Sequence, residues 1–415
     1  MKKIVSILCL LIGLLTSCHE EKGADINQLK ATGILSFVIN TGNSEYYAAI
    51  DQNKKEINIS GIKRAANIKS VSVELSDGYS IYPDPNAMKN WHTTQTFTII
   101  RSGANQIYQC NLPDLIEEVD KDYVVMGYLT ANAPSFGSMY PTIDLSNLTH
   151  LLVCFGNVYK DGTVDFSNLN ANITQLIETT HAAGKKILLS VHKAGDQEFA
   201  GAMETAEKRT KVVNQIIGYV SDRGLDGFDI DFEDYNYINS ENTRKNLISF
   251  IKELHEKKEP DMLMTCAVSP YPSYGPEWAQ YFDYINLMSY DIRSNNTYKN
   301  FTDQIDMIVA ELHLSDYSKL VGGVPFYGRD DSRPGSDVNS KAITYGNIIK
   351  QYGTEASEKD IWDQTYYNGR PTIRKKCQYA KEIGLAGIMI WELLQDTNME
   401  GYKLLDVIGE EILPR

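Results

Sequence analysis

Residues 224–235 read G-L-D-G-F-D-I-D-F-E-D-Y. Asp229, Asp231 and Glu233 recur at every second position, and Phe228, Ile230 and Phe232 alternate with them. That alternation has the period of a β-strand, so it puts three carboxylates on one face and the apolar side chains on the other. Same-face neighbours on a strand stand about 6.5–7 Å apart. Three carboxylates that close cannot all ionise freely near pH 7, and one should hold a proton, as a general acid must. A solvated acidic strand face and a calcium loop are the competing readings. An EF-hand loop sets its glycine elsewhere, and the flanking Leu225 and aromatic residues speak against a solvated face. From spacing alone, catalysis and the blander reading both stay open.

Outward from this strand, apolar strands alternate with helices. Strands are expected over 124–130, 149–155 and 186–191, with helices over 169–183 and 209–222 that end at Gly184 and Gly224. Beyond it come a helix over 247–256, strands over 263–268 and 284–290, a helix over 301–312 and a strand over 320–326. A helix over 372–383 then precedes a last strand over 386–391. Eight apolar strands with intervening helices predict an α/β fold, a (β/α)8 TIM barrel. Such barrels carry their chemistry at the C-terminal ends of the strands, and Glu233 ends the fourth.

Residues 30–118 have another texture. Short alternating or β-branched runs over 34–40, 46–51, 56–62, 70–75 and 96–101 are divided by turn signals such as Asp77-Gly78 and Pro83-Asp84-Pro85. They predict a small all-β sandwich of immunoglobulin-like outline preceding the barrel. Trp91 and the tyrosines of this region could bind a glycan, and a plain spacer is the favoured alternative. The expected organisation is a leader over 1–18, a tether over 19–29, the sandwich over 30–118 and the barrel over 119–415.

Lys2 and Lys3 precede an apolar run, Ile4 to Leu15, that is too short to span a bilayer. It ends in Leu15-Thr16-Ser17-Cys18, which resembles the lipobox of bacterial lipoproteins and implies cleavage before Cys18 and lipidation of its thiol. A simple secretory signal is the alternative. Glu20-Glu21 resembles a surface-export signal of some Gram-negative lipoproteins, so the expected address is the cell envelope, with membrane attachment through the lipid alone. Of six cysteines, Cys110, Cys154, Cys266 and Cys377 remain, far apart and read as buried free thiols. A net charge of -14 gives no basis for binding nucleic acid, while 26 Tyr and 4 Trp suit a neutral glycan. No metal or cofactor is called for.

Asp226-Gly-Phe-Asp-Ile-Asp-Phe-Glu233 is similar to the D-G-x-D-x-D-x-E signature of glycoside hydrolase family 18. Further motifs follow in family order: Gly127-Tyr128, Thr149-His150 leading to Phe155, Met288-Ser-Tyr-Asp291, Gly323-Val-Pro-Phe-Tyr-Gly-Arg329 and Gly387-Ile-Met-Ile-Trp-Glu392. The resemblance covers about residues 123–410 and implies retaining hydrolysis next to N-acetylglucosamine, with the substrate's own acetamido group as nucleophile. It implies Glu233 as the acid, Asp231 as orienter of the acetamido N–H and stabiliser of an oxazolinium ion, and Asp229 as Asp231's proton partner. Tyr290 would bond the acetamido carbonyl, Asp291 would contact the sugar in the −1 site, and Trp391 would form its floor. Tyr128 and Ser190 would hydrogen-bond Asp229. Tyr327 and Arg329 are subsite candidates, as is Met288, which could equally be core. Asp226, out of phase with the other carboxylates, is read with Gly227 as structural.

Two departures from the family are visible. Ser190-Val191-His192-Lys193 stands where chitinases usually read S-x-G-G. His150 and His192 are read as core or rim groups rather than catalysts. The residues between Arg329 and Gly387 leave little room for the α+β insertion of some chitinases, so a shallow, open cleft is expected. The expected activity is a chitinase on chitin or chitooligosaccharides. An endo-β-N-acetylglucosaminidase acting on N-glycan cores is the alternative, followed by a catalytically silent lectin.

Overall fold

The computed structural model describes residues 33–42, 44–63, 68–88, 91–101, 104–115, 122–192, 197–233, 240–269, 277–291, 297–334 and 338–413. The leader, Cys18 and Lys193 lie outside them. Internal contacts divide the chain into two compact units, 1–120 and 121–415.

The first unit holds two β-sheets. Strands β1 (Ile34–Asn40), β2 (Glu45–Tyr47), β3 (Ala49–Asp51), β4 (Glu56–Asn58), β5 (Ser70–Leu75), β6 (Ser80–Tyr82), β7 (Thr94–Arg101) and β8 (Ala104–Asn111) run in chain order. One sheet has the order β2-β1-β5 and the other β3-β4-β8-β7-β6. Phe37 of the first meets Phe97 of the second at 5.6 Å between rings, inside a core shared with Ile39, Ile99 and Tyr108. The run expected over 46–51 is two strands in different sheets, because the chain crosses between them at Ala48. Strand β8 escaped the sequence reading because Asn and Gln run through it and Ile107 points to solvent, although Tyr108 and Cys110 alternate inward. Trp91 is buried beside Phe97 and serves the core, so it is no glycan platform.

The second unit is the barrel. Its strands are β9 (Val124–Thr130), β10 (His150–Val158, with the short hairpin partner β11, Val164–Asp165), β12 (Lys186–His192), β13 (Gly227–Asp231), β14 (Leu263–Val268), β15 (Tyr284–Leu287), β16 (Leu320–Pro325) and β21 (Gly387–Trp391). The eight barrel strands pair in parallel, β11 alone running antiparallel to β10, and β9 pairs with both β10 and β21, which closes the sheet. Helices Ile173–Ala182, Ala206–Arg223, Glu241–Lys257, Tyr298–Glu311 and Arg370–Glu382 pack outside, and Leu404–Ile412 follows the last strand. Leu247, Phe250, Ile251 and Leu254 are buried on one stripe of their helix, in one core with Phe228 and Ile230 of β13. Each such side chain contributes about 1.5–3 kcal/mol by burial. The other face of the strands looks into the lumen, where Met126, Tyr128, Leu152, Leu188 and Met389 cluster.

Between β16 and the helix Arg370–Glu382 the chain builds more than the sequence reading allowed. Strands β17 (Tyr327–Asp330), β18 (Ala342–Thr344), β19 (Ile361–Trp362) and β20 (Thr365–Tyr366) form a four-stranded antiparallel sheet, with the helix Tyr345–Tyr352 among them. The segment does hold a small α+β insertion, which corrects the expectation of a cleft without one. Its strands of two to four residues are too short to show periodicity in the sequence. The sixth strand also ends earlier than expected, at Leu287, so Met288, Ser289 and Tyr290 leave the sheet at the barrel mouth.

Candidate active site

Strand β13 is placed by its two ends. The helix before it stops at Gly224, whose left-handed φ of 70° suits a residue without a side chain. Asp226 then accepts from Lys186 Nζ and the Ile187 backbone, each at 2.8 Å, and lies 2.9 Å from His181 Nε2. That ties the N-terminal end of the strand down and leaves Asp226 far from the other carboxylates in role, as its phase indicates. Gly227 passes so near β14 that a Cβ there would lie 2.1 Å from the Leu263 carbonyl oxygen.

Phe228, Ile230 and Phe232 pack outward while Asp229 and Asp231 point into the lumen, 0% and 3% exposed. Asp229 is held by four donors. Tyr128 Oη and Ser190 Oγ reach Oδ2 at 2.9 and 2.8 Å, and Thr265 Oγ1 and Asn286 Nδ2 reach Oδ1 at 2.6 and 3.4 Å. Burial raises its carboxyl above the ordinary range, and the four donors oppose that shift. Tyr128 and Ser190 are where the family resemblance puts them. Thr265 and Asn286 were missed. Each is a polar side chain inside an apolar strand, Thr265 in register with Asp229, and that phase is the signal that could have revealed them.

Asp231 faces a different partner. Burial, then the charges of Glu233 and Asp229, then a hydrogen bond with Glu233 push its carboxyl well above the usual range. The raised carboxyl and its hydrogen bond favour a proton held between Asp231 and Glu233, at the open end of the strand. Its Oδ1 is buried with no hydrogen-bond partner among the described residues. One oxygen of a protonated pair thus stays open to a ligand.

Around this pair stand the other predicted residues. Tyr290 is buried, and burial raises its hydroxyl well above the ordinary tyrosine range, so it remains a donor. Asp291 takes a left-handed φ of 67° and pairs with Arg329 Nη2 at 2.6 Å. Arg329 is only 5% exposed in its side chain and Asp291 41%, so the carboxylate meets the cleft and the guanidinium supports it. Trp391 stacks on Phe155 at 5.8 Å and meets Tyr128 at 5.4 Å. Met288 packs with the lumen cluster beside Trp391, in keeping with its core reading. Asp291, Tyr327, Arg329, Thr344, Trp391 and Gln395 line a pocket of about 250 Å³, so the insertion supplies one wall of the cleft. His192, Asp231 and Glu233 offer ligand atoms within 4.8 Å of one another. The histidine nitrogen nearest the carboxylates is Nδ1, however, and it points at a backbone carbonyl, so it donates rather than ligates.

A lumen of this kind, with a proton-sharing carboxylate pair above an anchored third, coincides with the family model of the glycosyl hydrolases family 18, which matches residues 124–396. The chain belongs to that family. Within family 18 it is chitinase-like. It is 40% identical to a chitinase from Bacteroides thetaiotaomicron, with a TM-score of 0.66 over 70% of this chain and 96% of that one. A family 18 chitinase from the chitin utilization locus of Flavobacterium johnsoniae is 29% identical, with a TM-score of 0.59 over 70% and 94% of the two chains. Among curated relatives, an endochitinase of Brugia malayi is 25% identical over 64% of this chain and 67% of its own length. Probable chitinase 10 of Drosophila melanogaster is 24% identical over 64% of this chain, a match that spans 15% of that longer protein.

Proposed function

We propose that this family 18 chain is a chitinase that cleaves β-1,4 bonds next to N-acetylglucosamine with retention at the anomeric carbon. The observation that carries the reading is the Asp231–Glu233 pair: a shared proton at the strand end, with one buried Asp231 oxygen lacking a partner among the described residues. Glu233 gives its proton to the glycosidic oxygen as the bond from the anomeric carbon breaks, and the acetamido carbonyl oxygen bonds to that carbon from the other face. The resulting oxazolinium ion is positive, and Asp231 meets it through the acetamido N–H, for which Oδ1 is the free acceptor. Water then opens the ring, gives its proton to Glu233 and leaves the sugar with its original configuration. Asp229, held by four donors, anchors the strand below the pair. Tyr290 donates to the acetamido carbonyl, Trp391 supplies the apolar floor, and Asp291, steadied by Arg329, takes a sugar hydroxyl. The relatives' names as chitinases support chitin or its oligomers as substrate.

The test is product analysis. Purified protein incubated with chitooligosaccharides should release chitobiose, and the first product should appear as the β-anomer by NMR. Release of glycans from a high-mannose glycoprotein, with chitooligosaccharides left intact, would instead identify an endo-β-N-acetylglucosaminidase. Binding without any cleavage would identify a lectin. For the N-terminus we propose lipidation of Cys18, checked by loss of fatty-acid labelling in Cys18→Ala.

A further inference from the structure

The third barrel strand ends in His192 where chitinases usually carry glycine. His192 is in register with Asp231 of β13 on one side and Asn157 of β10 on the other. Its Nδ1 stands 3.0 Å from the Asp231 backbone carbonyl oxygen. A carbonyl only accepts, so Nδ1 carries the hydrogen and the tautomer is set. From the same nitrogen the Asp231 carboxylate is 3.5 Å away and the Glu233 carboxylate 3.9 Å. The Phe155 ring packs on the imidazole at 4.9 Å between centroids, and the side chain is 16% exposed, so the ring is held in place.

We infer that His192 is a positioning residue for the acid pair: its Nδ1–H, bonded to the Asp231 backbone carbonyl, fixes the strand end that carries Asp231 and Glu233, and its nearby dipole steadies the negative charge left when Glu233 gives up its proton. The inference rests on the hydrolytic reading above. Once Glu233 has lost its proton, the charge falls on two carboxylates, one of them buried, with Asp229 below. The N–H is given to the Asp231 backbone carbonyl, and the positive end of its dipole lies 3.5 and 3.9 Å from the two carboxylates, which favours the ionised state without any rearrangement at the moment of reaction. Among the described residues, the titratable groups facing the imidazole are Asp231 and Glu233, both following from β13. The β10 side presents Phe155 and Asn157, which carry no charge. Glycine at this position would offer neither the donor nor the ring.

The experiment measures kcat and KM on a chromogenic chitobioside across pH for the full chain and for His192→Ala and His192→Asn. Asparagine places an amide N–H near the position of Nδ1. His192→Ala should lower kcat about tenfold, leave KM within about twofold, and move both limbs of the kcat profile to higher pH, because the positive end of the N–H dipole beside the charged form is gone. His192→Asn should recover most of kcat and the original profile. An alanine variant with unchanged kcat and profile overturns the inference. So does an asparagine variant as slow as the alanine one with the profile in place, since that pattern is lost packing. If the alanine variant does not fold, His192→Gln replaces it: its amide reaches past the Nδ1 position, so asparagine should outperform glutamine, and equal rates overturn the inference. Glu233→Gln run in parallel separates the two readings. An inactive wild type removes both, whereas a silent Glu233→Gln beside a fully active His192→Ala removes only the role of His192.

Discussion

The Tyr128 hydroxyl donates to the Asp229 carboxylate at 2.9 Å, joining the first strand of the barrel to the fourth through its interior. Both groups are sealed from solvent, and burial holds the tyrosine well above its ordinary range, so the hydroxyl stays protonated. The same oxygen also accepts from Asn286 Nδ2 at 3.2 Å. Tyr128→Phe would therefore remove a donor from a buried carboxylate and an acceptor from a buried amide. The cost should be about 1.5–3 kcal/mol, read as a lower urea midpoint. With one opposing donor gone, Asp229 should rise further, and the acid limb of the activity profile should move up in pH.

Glu233→Gln should reduce kcat by about 10²–10⁴-fold, the usual contribution of a general acid. Glutamine keeps the shape of the side chain, so calorimetry should find chitooligosaccharide affinity close to that of the wild type. Undiminished turnover in this variant would sink the proposed mechanism.

Asp396 accepts from the backbone N–H groups of Thr397, Leu404 and Leu405, and burial raises its carboxyl to about 7 despite them. A carboxyl raised on folding favours the native state while it is protonated. Its contribution is complete below the unfolded value of about 3.9 and is lost as pH rises through about 7. Melting temperature should fall between about pH 4 and 7 for this reason, together with Glu392, which burial also raises to about 7. Asp396→Asn keeps an acceptor but does not titrate, so its melting temperature should depend less on pH over that range. Parallel curves for the two proteins by differential scanning calorimetry would count against the assignment.

Gly227→Ala should fail at the level of folding. An added Cβ would lie 2.1 Å from the Leu263 carbonyl oxygen and 2.7 Å from its nitrogen, and both are backbone atoms of a neighbouring barrel strand. No side chain can turn aside, so the two strands must part. A loss of about 3 kcal/mol or more is expected, seen as insoluble expression or a collapsed urea midpoint.

Much of the barrel was legible because strand alternation and helix ends are local. Asp229, Asp231 and Glu233 declare a shared face within five residues, and Gly184 and Gly224 mark helix ends. The sandwich was harder. Strand β8 hides its inward Tyr108 and Cys110 among Asn and Gln, and the 46–51 run changes sheet midway. The insertion was illegible for a related reason, since its short strands exist only because they pair.

The sequence by itself determined that Asp229 and Asp231 share one face of the fourth of eight strands, with Glu233 outermost beyond its end, because side-chain direction in a strand follows residue parity alone. It also placed Tyr128 and Ser190 beside Asp229, through family motifs. Only the tertiary structure decided how the proton is shared. Asp229 is satisfied by donors from four other strands, Thr265 and Asn286 among them, and this leaves Asp231 to pair with Glu233 beside His192. Those relations depend on barrel closure and strand register, which bring together residues 36 to 101 positions apart, and no local pattern carries that information.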